Sequence, residues 1–479
     1  MMLRHLLLAA VVLLAGCATL TRQVNPPITE VHPTEGYRFL THEAKRPANN
    51  AKDTLVVLTF SGGGTRAAAF AYGVLEVLRR TEITMPDGRR GRLIDGVDII
   101  TGVSGGSFTA LAYGLYGDKL FDTYEKRFLK RNVENALLHG VLDPTNWYAL
   151  SSDVWGRSEM AAQYYDEILF DGATFADLER GNGPFIMVQT TDISTGSRFA
   201  FTQPAFDLIC SDLSKVRLAR AAAASSAVPL VLSPITINNY GGTCNYKYPE
   251  WLVMSADPDN PARPAARAIK RMEETLAYQD SKSRPYLHLV DGGLADNLGM
   301  RAVLEALEEM EAVRLRGGKT PLDNVKRIIV VVVNSLSVPK TNWDQSERPP
   351  GNIDILIKAT GVPIDRYSYE TVELLRDIMA RWELMRTIRD SAAFDKSKDP
   401  RLAGLINAPP AKLYAIDVSF AALKDPQEFA YLNDLPTSFS LTGEQVDRLR
   451  AAAARILLES PDFQKLMKEA GARIVPPPS

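Results

Sequence analysis

Residues 96–107 read GVDIITGVSGGS, and this stretch decides how the rest of the chain is interpreted. Its first half is an apolar run typical of a buried strand, and the residues that follow it favour a helix. Gly102 and Gly106 flank Ser104 in a G-x-S-x-G pattern, which is typical of a sharp turn that exposes a nucleophilic serine between a strand and a helix. A chain rich in glycine and serine supplies this pattern easily by chance. Ser104 is therefore a candidate nucleophile that needs partners elsewhere.

The composition excludes several classes of function. The chain has 479 residues, 55 Lys and Arg against 57 Asp and Glu, and a net charge of −2. This balance, without a basic run interleaved with aromatics, argues against a nucleic-acid partner. The five histidines are scattered and show no metal-ligand spacing, so we expect no metal and no cofactor. The length suits one large domain with an extension, or two domains.

The N-terminus predicts export. Arg4 precedes LLLAAVVLLAG (6–16), an apolar run too short to span a bilayer but typical of a signal peptide. It ends at Leu14-Ala15-Gly16-Cys17, which resembles the lipobox of bacterial lipoproteins, so we interpret residues 1–17 as a signal peptide with lipidation at Cys17. An ordinary secretory signal is the alternative. Ala18 favours the outer membrane, so the expected location is the bacterial envelope, with the protein lipid-anchored and facing the periplasm.

Beyond Cys17 the chain divides into three parts. Residues 18–50 are rich in Pro, Thr and Asn without periodicity and are predicted to be a tether. Residues 51–339 alternate strand-like and helix-like runs, which favours an α/β catalytic domain with a mostly parallel central sheet covered on both faces. Residues 340–479 are predicted to be a mainly helical extension packed on it. Cys210 and Cys244 allow either a disulfide or two unpaired buried thiols.

A glycine-rich turn is the first candidate partner of Ser104. The segment TFSGGGTRAAAFAYG (59–73) places three glycines between a strand and a helix. The backbone N–H groups of Gly62, Gly63 and Gly64 at a helix N-terminus would suit an oxyanion. A loose dinucleotide-binding pattern fits the same glycines, but an exported protein would not ordinarily meet a free nicotinamide cofactor. Arg66 could hold this loop, contact a lipid phosphate or lie on the helix surface.

The second candidate partner is Asp291, in HLVDGGLADNLGM (288–300). It closes an apolar strand, so we expect its carboxylate at the carboxyl end of the sheet, where the active sites of open α/β sheets gather. Asp before Gly is also ordinary turn chemistry. His288 lies three residues earlier on the same strand and should point to the opposite face.

Together these motifs resemble the patatin-like phospholipase family over about residues 54–335. The segments that carry the resemblance are Ser61–Ala67, Gly102–Gly106, residues 190–196, residues 219–235 and residues 291–293. The resemblance implies a three-layer α/β sandwich, Ser104 as nucleophile, Asp291 as its base and the glycines as an oxyanion hole. Ser61 and Ala67 depart from the family's usual Asp and Gly.

The resulting expectation is a membrane-anchored serine acyl hydrolase that cleaves phospholipids or related lipids through an acyl-enzyme. Its partners would be a lipid substrate and a membrane surface, and the oligomeric state stays open. Two alternatives remain. One is a non-catalytic, membrane-tethered lipid-binding or scaffolding protein, and the other is a general esterase or thioesterase that uses the same Ser-Asp dyad.

Overall fold

A computed structural model describes most of the chain. The described residues are 25–46, 53–84, 88–151, 155–229, 231–248, 253, 266–315, 318–320, 323–338, 341–391 and 409–476. The predicted signal peptide and Cys17 lie outside them.

Eleven strands are described in these ranges. They are β1 (Thr54–Phe60), β2 (Thr81–Thr84), β3 (Arg90–Arg92), β4 (Ile99–Val103), β5 (Phe185–Asp192), β6 (Ser197–Phe201), β7 (Ile235–Asn238), β8 (Tyr286–Asp291), β9 (Arg327–Asn334), β10 (Lys412–Ser419) and β11 (Arg473–Ile474). Eight form the central sheet in the order β10-β9-β1-β4-β5-β8-β7, with β6 paired to β5. The other three form a small sheet, β11-β2-β3.

Seventeen α-helices are described. They are α1 (Phe39–Lys45), α2 (Gly64–Arg80), α3 (Gly105–Tyr116), α4 (Leu120–Tyr124), α5 (Val133–Leu142), α6 (Pro144–Leu150), α7 (Arg157–Tyr165), α8 (Phe175–Arg180), α9 (Gln203–Leu208), α10 (Leu218–Ser225), α11 (Ala266–Leu276), α12 (Gly293–Asp296), α13 (Arg301–Leu315), α14 (Asn352–Arg389), α15 (Pro426–Asn433), α16 (Gly443–Glu459) and α17 (Pro461–Glu469). Short π-helical turns at Glu125–Leu129 and Asp166–Phe170 continue α4 and α7.

The centre of the sheet is parallel and covered on both faces. Strands β10, β9, β1, β4 and β5 all pair in parallel, whereas β8 and β6 run antiparallel to β5. Alternate residues of β9 belong to different cores: Ile329 and Val331 pack on the face of α2 and α16, and Val330 and Val332 on the face of α13 and α14. This explains the unbroken Val/Ile run of β9. The predicted three-layer α/β fold is confirmed.

Residues 25–46 correct the prediction of a tether over 18–50. The Asn25 side chain donates to the Ser211 hydroxyl at 2.8 Å and to the Asn238 carbonyl at 3.0 Å. Tyr37 is fully buried and its hydroxyl accepts the N–H of Ile186 at 2.6 Å. A segment without helical periodicity therefore packs on the domain through a few individual side chains.

The region after residue 340 is part of the same sheet. Strand β10 pairs in parallel with β9 along its whole length, from Lys412 opposite Arg327 to Ser419 opposite Asn334. Helix α16 packs against α2, the helix that follows the glycine-rich turn. Thr442 with Gln445 three residues later is a pattern that predicts a helix start, and α16 does begin there, with each side chain bonding the other residue's backbone. The boundary predicted at 339/340 is thus not a boundary of the sheet.

Two further features concern cysteines and membranes. Cys210 and Cys244 form a disulfide in the structure, with their Cα atoms 5.5 Å apart. Within the described ranges, no helix has both the length and the apolar character that crossing a bilayer requires.

Candidate active site

Ser104 and Asp291 meet because two strands run toward each other along one edge of β5. Strand β4 pairs with β5 up to Val103 opposite Gln189. Strand β6 occupies the other edge of β5, and β8 therefore continues on the β4 side, ending with Asp291 opposite Thr190. The two strands thus end head to head, one residue apart in register. The expectation that Asp291 ends a strand at the site is met, but its strand is antiparallel to those around Ser104.

Ser104 has the backbone of a strained turn. Its φ of 48° and ψ of −123° lie where a residue with a side chain is uncommon, at a cost of order 1–3 kcal/mol. Its N–H donates to the Ser225 hydroxyl at 2.8 Å, and that hydroxyl donates to the Gln189 carbonyl at 2.7 Å. Ser225 therefore fastens the strained turn to β5.

Asp291 is a buried carboxyl with few partners. Burial raises its pKa to about 6, while hydrogen bonds from the Gly293 N–H and the Ser104 hydroxyl act in the opposite direction. The Gly293 N–H lies 2.8 Å from its Oδ1. Its backbone is held as well, because its N–H donates to the Ala227 carbonyl and its carbonyl accepts from the Thr191 hydroxyl. This carboxyl can accept a proton near neutral pH.

The glycine-rich turn offers fewer free donors than predicted. The Gly62 N–H donates to the Asn297 carbonyl at 3.0 Å, so it is not available to an oxyanion. The N–H groups of Gly63 and Gly64 donate to no acceptor among the described residues. They lie at the N-terminus of the 17-residue helix α2. Two donors at a helix N-terminus favour negative charge. Of the three predicted donors, Gly62 is thus engaged elsewhere, and Gly63 and Gly64 stay candidates for an oxyanion hole.

Glycine at 64 and 105 is required by the contact between the two turns. A Cβ on Gly105 would lie 1.9 Å from the Gly64 carbonyl oxygen, which no side chain can tolerate. Gly64 has a φ of 60°, and a Cβ there would lie 2.3 Å from the Ser438 carbonyl oxygen. The close approach brings the free N–H groups beside Ser104.

Arg66 holds the glycine loop from beneath. It is only 3% exposed, and its Nε, Nη1 and Nη2 donate to the Ser335 carbonyl, the Leu435 carbonyl and the Thr437 hydroxyl at 3.0, 2.6 and 3.0 Å. Burial lowers its pKa to about 10. The alternatives of a lipid-phosphate contact and of a surface arginine are wrong, because the guanidinium is buried and every nitrogen that could donate is engaged.

The two departures from the family motif are accommodated locally. The Ser61 hydroxyl accepts the N–H of Ser335 at 2.9 Å, which ties the glycine loop to the end of β9. Ala67 is buried in the first turn of α2, so its methyl group is accommodated there. Neither substitution removes a backbone donor of the loop.

His288 takes no part in the site. Its side chain is exposed and its Nδ1 lies 2.9 Å from the Thr236 hydroxyl on β7. This confirms that it faces away from Asp291. Among the described residues, no group of three or more His, Cys, Asp or Glu side chains could hold a metal ion.

Several residues of the site were missed by the sequence interpretation. Ser225 lies within the segment 219–235 that resembled a family block, so its position was flagged but not its role. Asn297 follows Asp291 by six residues, and its Oδ1 would lie 2.5 Å from a Cβ on Gly62. Leu435, Thr437 and Ser438 lie in a loop with no motif at all, and no sequence signal identified them.

Comparisons with known proteins show which family and which solved structures the chain is similar to. A family model described as patatin-like phospholipase matches residues 58–304. No curated protein matches the chain. Among solved structures, human GIVD cytosolic phospholipase A2 is 13% identical with a TM-score of 0.44, over 90% of this chain and 64% of that chain. VipD from Legionella pneumophila is 11% identical, with a TM-score of 0.27 over 96% and 73% of the two chains. The chain thus spans less than two thirds of the human protein.

Proposed function

The chain belongs to the patatin-like phospholipase family, and we propose that it is a serine acyl hydrolase that cleaves ester bonds of phospholipids or related lipids. One observation carries this proposal. Strands β4 and β8 end head to head, which brings Ser104 to the buried Asp291 carboxyl, and the Ser104 hydroxyl acts on the pKa of that carboxyl. A strained serine beside a carboxyl whose pKa is raised is the arrangement of an activated nucleophile.

In the proposed reaction, Asp291 takes the proton of Ser104 while the serine oxygen attacks the ester carbonyl carbon. The N–H groups of Gly63 and Gly64 donate to the tetrahedral oxyanion, each donor supplying about 3 kcal/mol of transition-state stabilisation. Collapse of the intermediate expels the alcohol, which takes the proton from Asp291. Water activated by the same carboxylate then releases the fatty acid from the acyl-enzyme.

The test is phospholipid and short-chain ester hydrolysis by the parent protein and by Ser104→Ala, together with labelling by a fluorophosphonate probe. We expect the parent to hydrolyse and to be labelled, and the folded variant to do neither. Labelling of Ser104→Ala at the parent level would assign the reactive serine elsewhere. A folded parent that is neither active nor labelled would favour the non-catalytic lipid-binding protein instead. Hydrolysis of soluble esters alone would favour a general esterase or thioesterase.

We also propose that a lipid on Cys17 anchors the protein to a bacterial membrane. The proposed location is the outer membrane, with the protein facing the periplasm. The Cys210–Cys244 disulfide supports export, because disulfides persist in oxidising compartments. Cys17→Ser should move the protein from the membrane fraction to the soluble fraction, measured by fractionation in a bacterial host. Membrane retention equal to that of the parent would contradict lipidation as the anchor.

A further inference from the structure

Helix α14 has two halves with opposite surroundings. In its second half Val372, Leu375 and Trp382 are buried in the core against β9 and β10. In its first thirteen residues, 352–364, the side chains of Ile355, Leu356 and Val362 are 45%, 49% and 38% exposed. Ile355 and Leu356 are consecutive and so lie about 100° apart around the helix. We call residues 352–364 the apolar half-helix, and its apolar exposure is wider than a single stripe.

The composition of the apolar half-helix sharpens this contrast. Its sequence, NIDILIKATGVPI, contains only two charged residues, Asp354 and Lys358. Just after it, Tyr367 and Tyr369 are 61% and 64% exposed. Exposed apolar side chains beside exposed tyrosines are typical of segments that enter the boundary between water and lipid.

The apolar half-helix ends at the level of the active site. The Arg301 guanidinium lies 4.9 Å from the Tyr367 ring, and α12, the turn after Asp291, packs against α14. The Asp365 carboxylate acts on the pKa of Arg66, the residue under the glycine loop. Residues 365–367 therefore lie beside the site.

The direction of α14 carries the apolar half-helix past the site. Its second half runs back along the sheet, with Arg376 3.5 Å from Asp417 of β10 and the Trp382 Nε1 donating to Glu311 at 3.4 Å. Residues 352–364 therefore project beyond the carboxyl ends of the parallel strands. Thirteen helical residues reach about 20 Å.

The first described residue lies toward the same end of the sheet. Asn25 bonds to Asn238, which pairs with Tyr286, the first residue of β8. Because β8 runs inward to Asp291, Tyr286 lies beyond the carboxyl ends of the parallel strands. Seven residues separate Cys17 from Asn25, which allows a span of at most about 28 Å. A lipid on Cys17 would thus hold this end of the molecule near the bilayer.

We propose that the apolar half-helix enters a phospholipid surface and holds the Ser104 site against it; this inference rests on the proposed function for its choice of lipid. Leu356 and Ile355 lie among the acyl chains, Tyr367 and Tyr369 at the headgroups, and Lys358 extends its ammonium group back to water. Thirteen residues are too few to cross the bilayer, so the segment enters one leaflet only.

The first experiment reports depth in the lipid and does not depend on catalysis. In the full chain with Ser104→Ala, a tryptophan is introduced as Leu356→Trp or, as a matched control on the second half of α14, as Leu384→Trp, where the leucine is 60% exposed. Phosphatidylcholine vesicles with brominated acyl chains quench tryptophans that reach the acyl region. We expect added quenching for Leu356→Trp and none for Leu384→Trp. Equal quenching of both, or a spectral shift of Leu356→Trp without vesicles that indicates self-association, would overturn the proposal.

The second experiment links the surface to turnover. The pair Ile355→Glu and Leu356→Glu should slow hydrolysis of phosphatidylcholine vesicles by about tenfold or more. Hydrolysis of a soluble short-chain ester should stay at the parent rate, and Leu384→Glu should change neither. An equal loss on both substrates would mean that the change damages the fold or the site, and would count against the proposal. If the parent hydrolyses neither substrate, the proposed function fails while the quenching result stands.

Discussion

The Ser104 turn and the glycine loop touch each other, but they are held by different parts of the chain. The Ser104 turn is fastened by Ser225 and Gln189, and both lie within the span of the family model. The glycine loop is fastened by Ser335, by Arg66 through Leu435 and Thr437, and by the Ser438 carbonyl, which accepts the Thr65 N–H at 2.9 Å. Apart from Arg66 itself, and Asn297, whose carbonyl accepts the Gly62 N–H, the partners of the loop lie after residue 334.

This difference separates two parts of the proposed chemistry. The attacking group and its base are positioned within the segment that the family motifs span. The donors for the oxyanion are positioned by the C-terminal region, which has no motif of its own. Substitutions in the two regions should therefore fail in different ways: one should remove the nucleophile, and the other should leave it reactive but weaken transition-state stabilisation.

The largest effect is expected at the base. Asp291→Asn should lower turnover by about 10²–10⁴-fold, because an amide cannot take the Ser104 proton. In the parent, activity should rise with pH through about 6, as the carboxyl loses its proton. The measurement is the pH profile of kcat/KM on a soluble ester. A parent profile that is flat between pH 5 and 8 would contradict Asp291 as the base.

Although it lowers turnover, Asp291→Asn should make the folded protein more stable at high pH. The folded pKa of Asp291 is above its ordinary value, so its contribution to stability is present below about pH 4 and is lost as pH rises through about 6. At pH 8, Asp291→Asn should therefore raise the free energy of unfolding, by on the order of 1–3 kcal/mol. Denaturant unfolding of parent and variant at pH 4 and pH 8 checks this. If the variant's gain in free energy of unfolding were smaller at pH 8 than at pH 4, Asp291 would not be a buried carboxylate that is charged at pH 8.

The next effect concerns the glycine loop. Arg66→Ala should lower kcat by about 10–100-fold, since the loss of three hydrogen bonds releases the loop that carries the Gly63 and Gly64 donors. Fluorophosphonate labelling of Ser104 should persist, because the nucleophile and base keep their supports. Arg66→Lys should restore little of the lost kcat, since an ammonium group cannot make the hydrogen bonds of the planar guanidinium.

The control for Arg66 is Arg220→Ala. Arg220 is 4% exposed and pairs with Glu159 at 2.7 Å, so its loss also removes a buried guanidinium. It should lower the unfolding temperature with a much smaller change in kcat. Equal losses of kcat in the two variants would mean that Arg66 acts through general stability and not through the loop.

The smallest effect is expected at Ser225. Ser225→Ala leaves the buried Ser104 N–H without its acceptor, which costs about 1–3 kcal/mol. We expect a loss of about tenfold in kcat, with slower fluorophosphonate labelling. Ser226→Ala is the matched control, because the Ser226 hydroxyl bonds to carbonyls of its own helix region, Ala222 and Ala223. If both variants reduced labelling equally, Ser225 would have no specific part in holding the turn.

Local patterns predicted much of the fold. The apolar runs at 54–60, 184–192, 286–291, 325–335 and 412–420 predict strands, and β1, β5, β8, β9 and β10 lie within about two residues of them. The amphipathic pattern of residues 368–390 predicts a helix, and the observed helix α14 is longer, starting at Asn352. Gly361 and Pro363 weaken a helical pattern, so the apolar half-helix was missed.

The sequence by itself determined the strand-turn-helix segments around Gly62, Ser104 and Asp291, because each is encoded by neighbours within about ten residues. Only the tertiary structure decided that β8 runs antiparallel and meets β4 end to end, that Gly62 gives its N–H to Asn297, and that Arg66 is buried. Those outcomes depend on pairings between residues far apart along the chain, such as Arg66 with Leu435. No local pattern specifies such a partner, because it is chosen by the packing of the whole sheet.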